Sequence, residues 1–523
     1  MDDRVAAAWR VLPDYLGQHV VLSAAALALG VVVSCPLIVL SLRRPRLRWA
    51  VLAIASLIQT IPSLALLALF YPLLLALSAL SQRLLGEGFA ALGFLPSLLA
   101  LTLYSMLPVL RNGVTAIATL DPAVIEAAHG VGMTDRQRLL HVELPLAMPM
   151  LMAGIRTAAV WVIGTATLST PVGQTSLGNY IFSGLQIENW VSVLFGCIAA
   201  AALALIVDQL LALMETGARR RSRWRVAAGA GLLVLGTVAA ALPGSMDRAA
   251  TYTIGAKTFS EQYILAAVMA DRIEHEDATV TRRIGLGSLI AFRALASGEL
   301  DAYVDYSGTI WANVMHRTDS PSREAMLVEM REWLQREHGI VLVGSLGFEN
   351  AYALAMRRDA ASRLQIRSIG DLSAHARELR IGGDFEFFAR PEWRSIRDRY
   401  ALAFASQRQY QSTFMYKAVA SREVDVISAF SSDGRIAAYD LVVLEDPEQI
   451  VLPYDAIILV AARRAKDPVL CRALAPLVSS ISIEHMREAN FMVDRDEDKK
   501  TPVEAATWLL ANAQLRRAAD CGN

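Results

Sequence analysis

Charge is almost missing from the first half of this chain, and that absence constrains its fold more than any motif does. Residues 1–250 hold 29 charged side chains and residues 251–523 hold 71, and no lysine precedes Lys257. A helix needs about 20 consecutive apolar residues to cross a bilayer core. Runs of that kind lie near 19–42, 49–72, 90–110, 145–170, 191–214 and 226–243. Helices in a large soluble core would show polar positions along one face at the helical period, and Val20–Leu42 shows no such face. The first half is therefore read as six membrane spans.

Arginine placement orients them. Arg43, Arg44, Arg46 and Arg48 follow the first span; Arg111, Arg136 and Arg138 follow the third; Arg219, Arg220, Arg221, Arg223 and Arg225 follow the fifth. The intervening loops hold Arg83 alone near 73–89 and no Lys or Arg from 171 to 190. The three basic loops are expected in the cytoplasm and everything after Pro243 outside. The sixth run, with its basic flank and small residues before Pro243, also fits a signal peptide. At mid-chain it is read as an anchor, and either way the domain after it is exported.

The overall balance of 50 basic and 50 acidic side chains lacks the basic footprint of a nucleic-acid binder. Four cysteines cannot frame a disulfide-rich scaffold, and none forms a CxxC pair. Pairing of Cys471 with Cys521 outside the cell stays open, whereas Cys35 and Cys197 read as space-filling in the bundle. Arg156 and Asp208 fall inside or near spans, where ionisable groups are costly. Pro62 and the Thr/Ser-rich Gly164–Thr170 suit either a kinked pathway or interhelical packing.

The cytoplasmic segment 111–144 is long for a connection between spans. Asp121-Pro122 is a helix start, with Asp as cap and Pro at the first helical position. The helix should end at Gly130 or Gly132, and a second should start from Thr134-Asp135. Within it, Glu126-Ala127-Ala128, then Gly132, then Val142, Leu144 and Pro145 resemble the EAA loop of ABC importer permeases, departing only in Val142 for Ile. The resemblance implies that Glu126, Ala127, Ala128 and Gly132 form a knob that couples to a separate ATPase. The chain itself has no GxxxxGK[ST] phosphate loop.

Residues 251–523 read as α/β. Short strands are expected at Tyr252–Ala256, Val280–Ile284, Val341–Val343, Arg380–Gly382, Asp425–Ala429, Val442–Leu444 and Ile457–Ala461. Helices are expected at Glu261–Ile273, Leu289–Ser297, Ser322–His338 and Val469–Ser480. About 270 residues is long for one core, so two lobes are expected. No HExxH or GxSxG is present, and neither a metal site nor a cofactor is expected.

Aromatics stand beside turn residues in Asp305-Tyr306-Ser307-Gly308-Thr309, Asn350-Ala351-Tyr352, Phe430-Ser431-Ser432-Asp433-Gly434 and Pro453-Tyr454-Asp455. Each alone suits a core position. With the run Lys257-Thr258-Phe259-Ser260-Glu261-Gln262 and the stretch Phe430–Asp446, they resemble the substrate-binding proteins of glycine betaine, carnitine and choline importers. That resemblance implies a fold: an all-α transmembrane permease followed by an extracytoplasmic, two-lobed α/β domain of the type II periplasmic-binding-protein class. It implies a cation cage of Tyr306, Tyr352, Phe430 and Tyr454, with Lys257, Thr309 and Arg390 (after Glu386-Phe387-Phe388) holding the ligand carboxylate. Phe430 stands where the family commonly has Tyr, which keeps ergothioneine open as the ligand.

The expected domains are 1–218 for the permease, 219–250 for the basic segment, sixth span and tether, and 251–523 for the binding domain. A homodimer in a bacterial-type cytoplasmic membrane, with an ATPase partner, is expected. A membrane-anchored solute receptor is the rival reading, although it would need neither the EAA loop nor its spacing.

Overall fold

The computed structural model describes residues 3–86, 89, 91, 93–186, 189–241, 252–317, 319–384, 387–448, 450–495 and 497–515. Residues 242–250 of the expected tether, Glu386 and Cys521 lie outside them. The chain divides into two compact units, one formed largely by residues up to 247 and the other largely by residues from 248 onward.

The first unit is helical. It runs through α1 (Asp3–Arg43), α2 (Pro45–Thr60), α3 (Ser63–Leu85), α4 (Phe94–Ala118) and the short α5 (Pro122–Gly130) and α6 (Asp135–Arg138). A π-helical turn at Leu139–Glu143 leads into α7 (Leu144–Ala166), then α8 (Gly178–Gln186), α9 (Trp190–Arg219) and α10 (Arg223–Ala241). Among the described residues, 6 helical stretches are long and apolar enough to cross a membrane: Ala8–Leu42, Ser63–Leu85, Phe94–Ala118, Asp135–Val172, Trp190–Arg219 and Arg223–Ala241.

The second span therefore differs from the expected 49–72. The helix stops at Thr60 and a new one begins at Ser63, with Pro62 as its N-cap. A proline lacks the N–H that a continuing helix needs, and it pushes the residue before it towards extended backbone. Ile61 accordingly sits at φ −70, ψ 127. The alternation of basic and neutral loops is unchanged by this shift.

The centre of the bundle is α4, which packs against α1, α2, α3 and α7 and buries Leu101, Leu107, Leu110 and Val114. Its approach to α1 depends on Gly30, where an added Cβ would lie 1.8 Å from Ser105 Oγ. Small residues at such crossings let helices meet without side chains between them. The outward faces are apolar: Leu194, Ile198, Leu205 and Ile206 of α9 are all exposed.

The second unit holds two sheets. In chain order come β1 (Tyr252–Lys257), α11 (Ser260–Glu274), β2 (Val280–Leu286), β3 (Ala302–Tyr306), β4 (Val341–Glu349) and β5 (Tyr352–Arg357). Then follow β6 (Arg380–Asp384), β7 (Ser406–Tyr410), β8 (Val426–Phe430), β9 (Leu441–Val443) and β10 (Asp455–Val460). One 5-stranded sheet has the order β2-β1-β3-β10-β4 and the other β7-β6-β8-β5-β9. The chain crosses between sheets twice, from β4 to β5 and from β9 to β10. Each sheet with its helices is one lobe.

Three strands, β3, β5 and β7, were not among the expected ones. The helix expected at Val469–Ser480 is shorter: it covers Pro468–Leu474, followed by a single 3-10 turn at Ala475–Leu477. Pro476 is the cause, since it cannot donate to the preceding turn.

Candidate functional site

Strand ends deliver the aromatic side chains. Tyr306 closes β3, Tyr352 opens β5, Phe430 closes β8 and Tyr454 directly precedes β10. The antiparallel register sets Tyr352 opposite Phe430, with ring centroids 5.0 Å apart and planes at 44°. Tyr454 meets Tyr352 edge-on at 5.9 Å and 82°. Tyr306 reaches the group through Phe259, which stacks 6.0 Å from Tyr306 and 6.3 Å from Phe430 with planes only 3° apart. Tyr454 can lie flat on the chain at Gly308, where a Cβ would stand 2.7 Å from its ring. The four expected rings thus converge, with Phe259 as the link between Tyr306 and the other three.

The charged side chains sit against the same rings. Arg390, at the N-cap of the helix Pro391–Arg399, holds its guanidinium carbon 4.9 Å from the Tyr352 ring centre and 5.8 Å from that of Tyr454. Its Nη1 donates to Tyr454 Oη at 2.9 Å, and the Tyr454 hydroxyl donates in turn to Glu392. Lys257 is not the free point charge that the resemblance implies. It is buried and paired with Asp305, and its ammonium lies 5.0 Å from the Tyr306 ring centre. Thr309 is buried in the helical segment that follows β3 and runs on to Val314. Burying charges is costly unless each is paired, and Lys257–Asp305 and Arg390–Glu392 both are.

Three residues of this cluster had no assigned role in the sequence reading: Phe259, Glu392 and Glu261. The Glu261 carboxyl is 3% exposed. Burial pushes its pKa above the usual carboxylate range, against the pull of hydrogen bonds from Ser432, Tyr306, Asn490 and Asn350. Burial likewise raises the Tyr306 phenol far above the usual tyrosine range. The only sequence signal for Phe259 and Glu261 was their place in the Lys257–Gln262 run.

In the helical unit, the segment holding Glu126, Ala127, Ala128 and Gly132 is built as a helix–turn–helix. Asp121 caps α5 by accepting from Ala123 N at 2.9 Å. Gly132 takes φ +79 at the turn, a left-handed conformation that favours glycine; the space around it is open, so its backbone and not crowding requires the residue. Thr134 and Gln137 close a capping box at α6. The knob is tied to the following span by Arg138, which donates to Glu143 at 2.6 Å and contacts His129. No break separates α6 from α7: helical backbone runs on through the π turn Leu139–Glu143 into the span. Elsewhere Arg156 of α7 clasps Asp208 of α9 through two hydrogen bonds of 3.0 and 2.9 Å, and Glu215 through a third of 2.8 Å. That geometry makes Arg156 and Asp208 an interhelical staple.

Comparisons with known proteins follow the same division. Residues 250–512 match the family described as the substrate-binding domain of the ABC-type glycine betaine transport system. Residues 26–220 match the binding-protein-dependent transport system inner membrane component. The chain is 27% identical over 460 residues, 85% of its length and 80% of the relative's, to the ergothioneine transport permease/ergothioneine binding protein of Helicobacter pylori. It is 38% identical over 199 residues, 38% of its length and 84% of the relative's, to a glycine betaine/carnitine/choline transport system permease protein of Bacillus subtilis. Among solved structures, a glycine betaine/carnitine/choline ABC transporter crystal structure matches with TM-score 0.45 and 27% identity, covering 50% of this chain and 97% of that one.

Proposed function

Because the chain belongs to the ABC-type glycine betaine transport family, with a permease and a substrate-binding domain in one polypeptide, we propose that its ring cluster takes a quaternary-ammonium compound bearing a carboxylate. The protein is a multi-pass permease with an extracytoplasmic binding domain. The supporting observation is the convergence of Tyr352, Phe430 and Tyr454 around Arg390, with Phe259 and Tyr306 completing the wall.

A trimethylammonium group has no N–H and cannot be held by ordinary hydrogen bonds. Ring faces offer it a negative quadrupole and apolar contact together, about 0.5–2 kcal/mol per desolvated pair. Arg390 donates in the planar fork that matches a carboxylate. It already lies against Tyr352, so one side chain can face both the rings and the ligand's anionic end. Lys257 acts indirectly in this reading: its pairing with Asp305 fixes the end of β3 beneath Tyr306. Thr309 adds a hydroxyl at the same strand end.

Of the first substrate class, glycine betaine, carnitine and choline, the carboxylate-bearing glycine betaine and carnitine fit this reading, and choline, which has no carboxylate, serves as the contrast. Ergothioneine, a betaine with its own ring, is the second, favoured by a relative that carries both domains in one chain. Closure of the two lobes on ligand is expected to precede release into the permease. The permease family works with an ABC ATPase. We assign that role to a separate subunit docking at Glu126–Gly132, and expect two copies of this chain per transporter in the lipid bilayer. The domain limits that go with this reading are 1–218, 219–250 and 251–523.

Titration calorimetry of the purified full chain tests the proposal against glycine betaine, carnitine, choline and ergothioneine. At least one betaine should bind, and Arg390→Ala should weaken that betaine about tenfold or more while leaving choline nearly unchanged. Binding of none of the four, or equal losses for betaine and choline, would sink it.

A further inference from the structure

We infer that Glu261 is the positioning residue of the aromatic cage: one buried carboxylate holds the ring-bearing strand ends of both lobes in register. The inference rests on the cage reading above for its functional consequence, but its structural content stands on the hydrogen bonds alone. Glu261 Oε1 accepts from the Tyr306 hydroxyl at 2.5 Å and from Asn350 Nδ2 at 3.0 Å. Oε2 accepts from Ser432 Oγ at 2.5 Å and from Asn490 Nδ2 at 2.8 Å.

Three of the four donors belong to ring-bearing segments. Tyr306 is itself a ring of the cage. Asn350 is the crossing residue between β4 and β5, two positions before Tyr352. Ser432 follows Phe430 by two positions, and Asn490 locks it by donating also to the Ser432 carbonyl at 2.9 Å. Phe259, which stacks on both Tyr306 and Phe430, precedes Glu261 by two positions. The carboxylate therefore stands within two residues of four rings, from β3 of one lobe, β8 of the other and the crossing between them.

A carboxyl group suits this arrangement, and a carboxamide does not. Two oxygens with two lone pairs each can accept four hydrogen bonds, whereas an amide offers one accepting oxygen and turns an NH2 towards two donors. An aspartate carries the same charge on a shorter stem and would reach fewer of them. The plain alternative is that Glu261 merely anchors the first turn of α11. Its partners argue against that, since none of the four lies in α11 and they come from positions 45 residues or more away in sequence.

Amide hydrogen exchange and calorimetry on the full chain in lipid nanodiscs separate these possibilities. Glu261→Gln should speed exchange about tenfold or more in both 302–309 and 426–433, segments of opposite lobes. It should also weaken the tightest binder among glycine betaine, carnitine, choline and ergothioneine about tenfold. Tyr306→Phe keeps the ring face and removes only the donor, so it should weaken binding about threefold alone and add nothing to Glu261→Gln. Should Glu261→Gln fail to fold, Ser432→Ala removes one lobe's donor and should speed exchange at 302–309 as well as at 426–433. Exchange changes confined to α11, or fully multiplicative losses for the two substitutions, would overturn the inference. If no compound binds the unmodified chain yet both segments loosen, the ligand reading falls and the positioning role stands.

Discussion

Between the membrane helices the ionisable groups are few: Arg156 is held by Asp208 and Glu215 and His19 by backbone groups of Ile163 and Leu177, whereas the exported half crowds Lys257, Glu261, Asp305, Arg390 and Glu392 into a single buried cluster. The surrounding solvent explains the difference. Within lipid there is no water to resolvate an unpaired charge, so the permease uses its ionisable groups sparingly and turns Leu194, Ile198 and Leu205 outward. In water the pattern inverts: the helix Arg323–His338 buries Met326, Met330 and Leu334 along one stripe and presents its charges to solvent. Charge is then free to be buried where recognition needs it. One half moves and the other half reads, and the two tasks should fail separately.

The sharpest break between them is predicted at the knob. Gly132→Asp forces a side chain into φ +79, about 1 kcal/mol of strain or more that shifts the α5–α6 turn. Uptake of radiolabelled ligand should be abolished while its dissociation constant stays that of the unmodified chain. Undiminished uptake would remove the docking role. Next in size is the staple within the bundle. Arg156→Met leaves Asp208 without its cation and Glu215 with Arg219 alone, which should cost about 3 kcal/mol in a membrane, read as an earlier melting transition in detergent. The triple change Arg156→Met, Asp208→Leu, Glu215→Leu should recover most of it; no recovery would show that the cluster serves transport and not packing. Then comes the reading half: Tyr352→Ala removes the ring that touches Phe430, Tyr454 and Arg390 together. Betaine binding should weaken roughly 30-fold, the equivalent of about 2 kcal/mol, with the helical unit's melting unaltered.

The halves also differed in how far the sequence revealed them. Long apolar runs and clustered arginines announce membrane helices directly, yet composition is blind to where a proline cuts. Leu-rich sequence continues through Ile61-Pro62, so the run read as 49–72 is two helices. In the exported half, β3 escaped notice because Asp305 interrupts its apolar pattern, and that buried aspartate is paired with Lys257, 48 residues away, and accepts from the Tyr303 hydroxyl and Tyr306 N as well. Tyr352–Arg357 carries two alanines, weak strand formers, and runs directly into the helix Arg358–Leu364. Ser406–Tyr410 is a polar edge strand with only its ends half-buried, so it carries no alternation to find. The rings Tyr306, Tyr352, Phe430 and Tyr454 were legible because each neighbours turn residues in a recognisable block. Phe259 and Glu261 were not, since what makes them matter is partners brought in from distant parts of the chain.

The smallest effect predicted lies at the other end of α11's first turn. Ser260 donates to Asp494 at 2.5 Å, and Arg435, itself clasped by Asp433, stands 3.7 Å from the second Asp494 oxygen. Burial is the main cause that pushes the Asp494 carboxyl up to about 6, with Asp433 adding to the rise and Arg435 opposing it. A carboxyl whose pKa is higher folded than unfolded binds its proton more tightly in the native state. Its contribution to stability is therefore present in acid and lost as the pH climbs from its unfolded value of 3.8 towards about 6. Protection of the helix Ile483–Asp494 from amide exchange should accordingly be greater at about pH 5 than at about pH 7.5, by on the order of 1 kcal/mol. Asp494→Asn cannot titrate and should shrink that difference without erasing it, because the raised Glu261 carboxyl acts in the same sense. Among the described residues of the helical unit no carboxyl pair is buried in this way, so α4 should show no such trend. A pH response of equal size in α4, or one unaffected by Asp494→Asn, would mean that acid acts on the whole chain and not through this buried group.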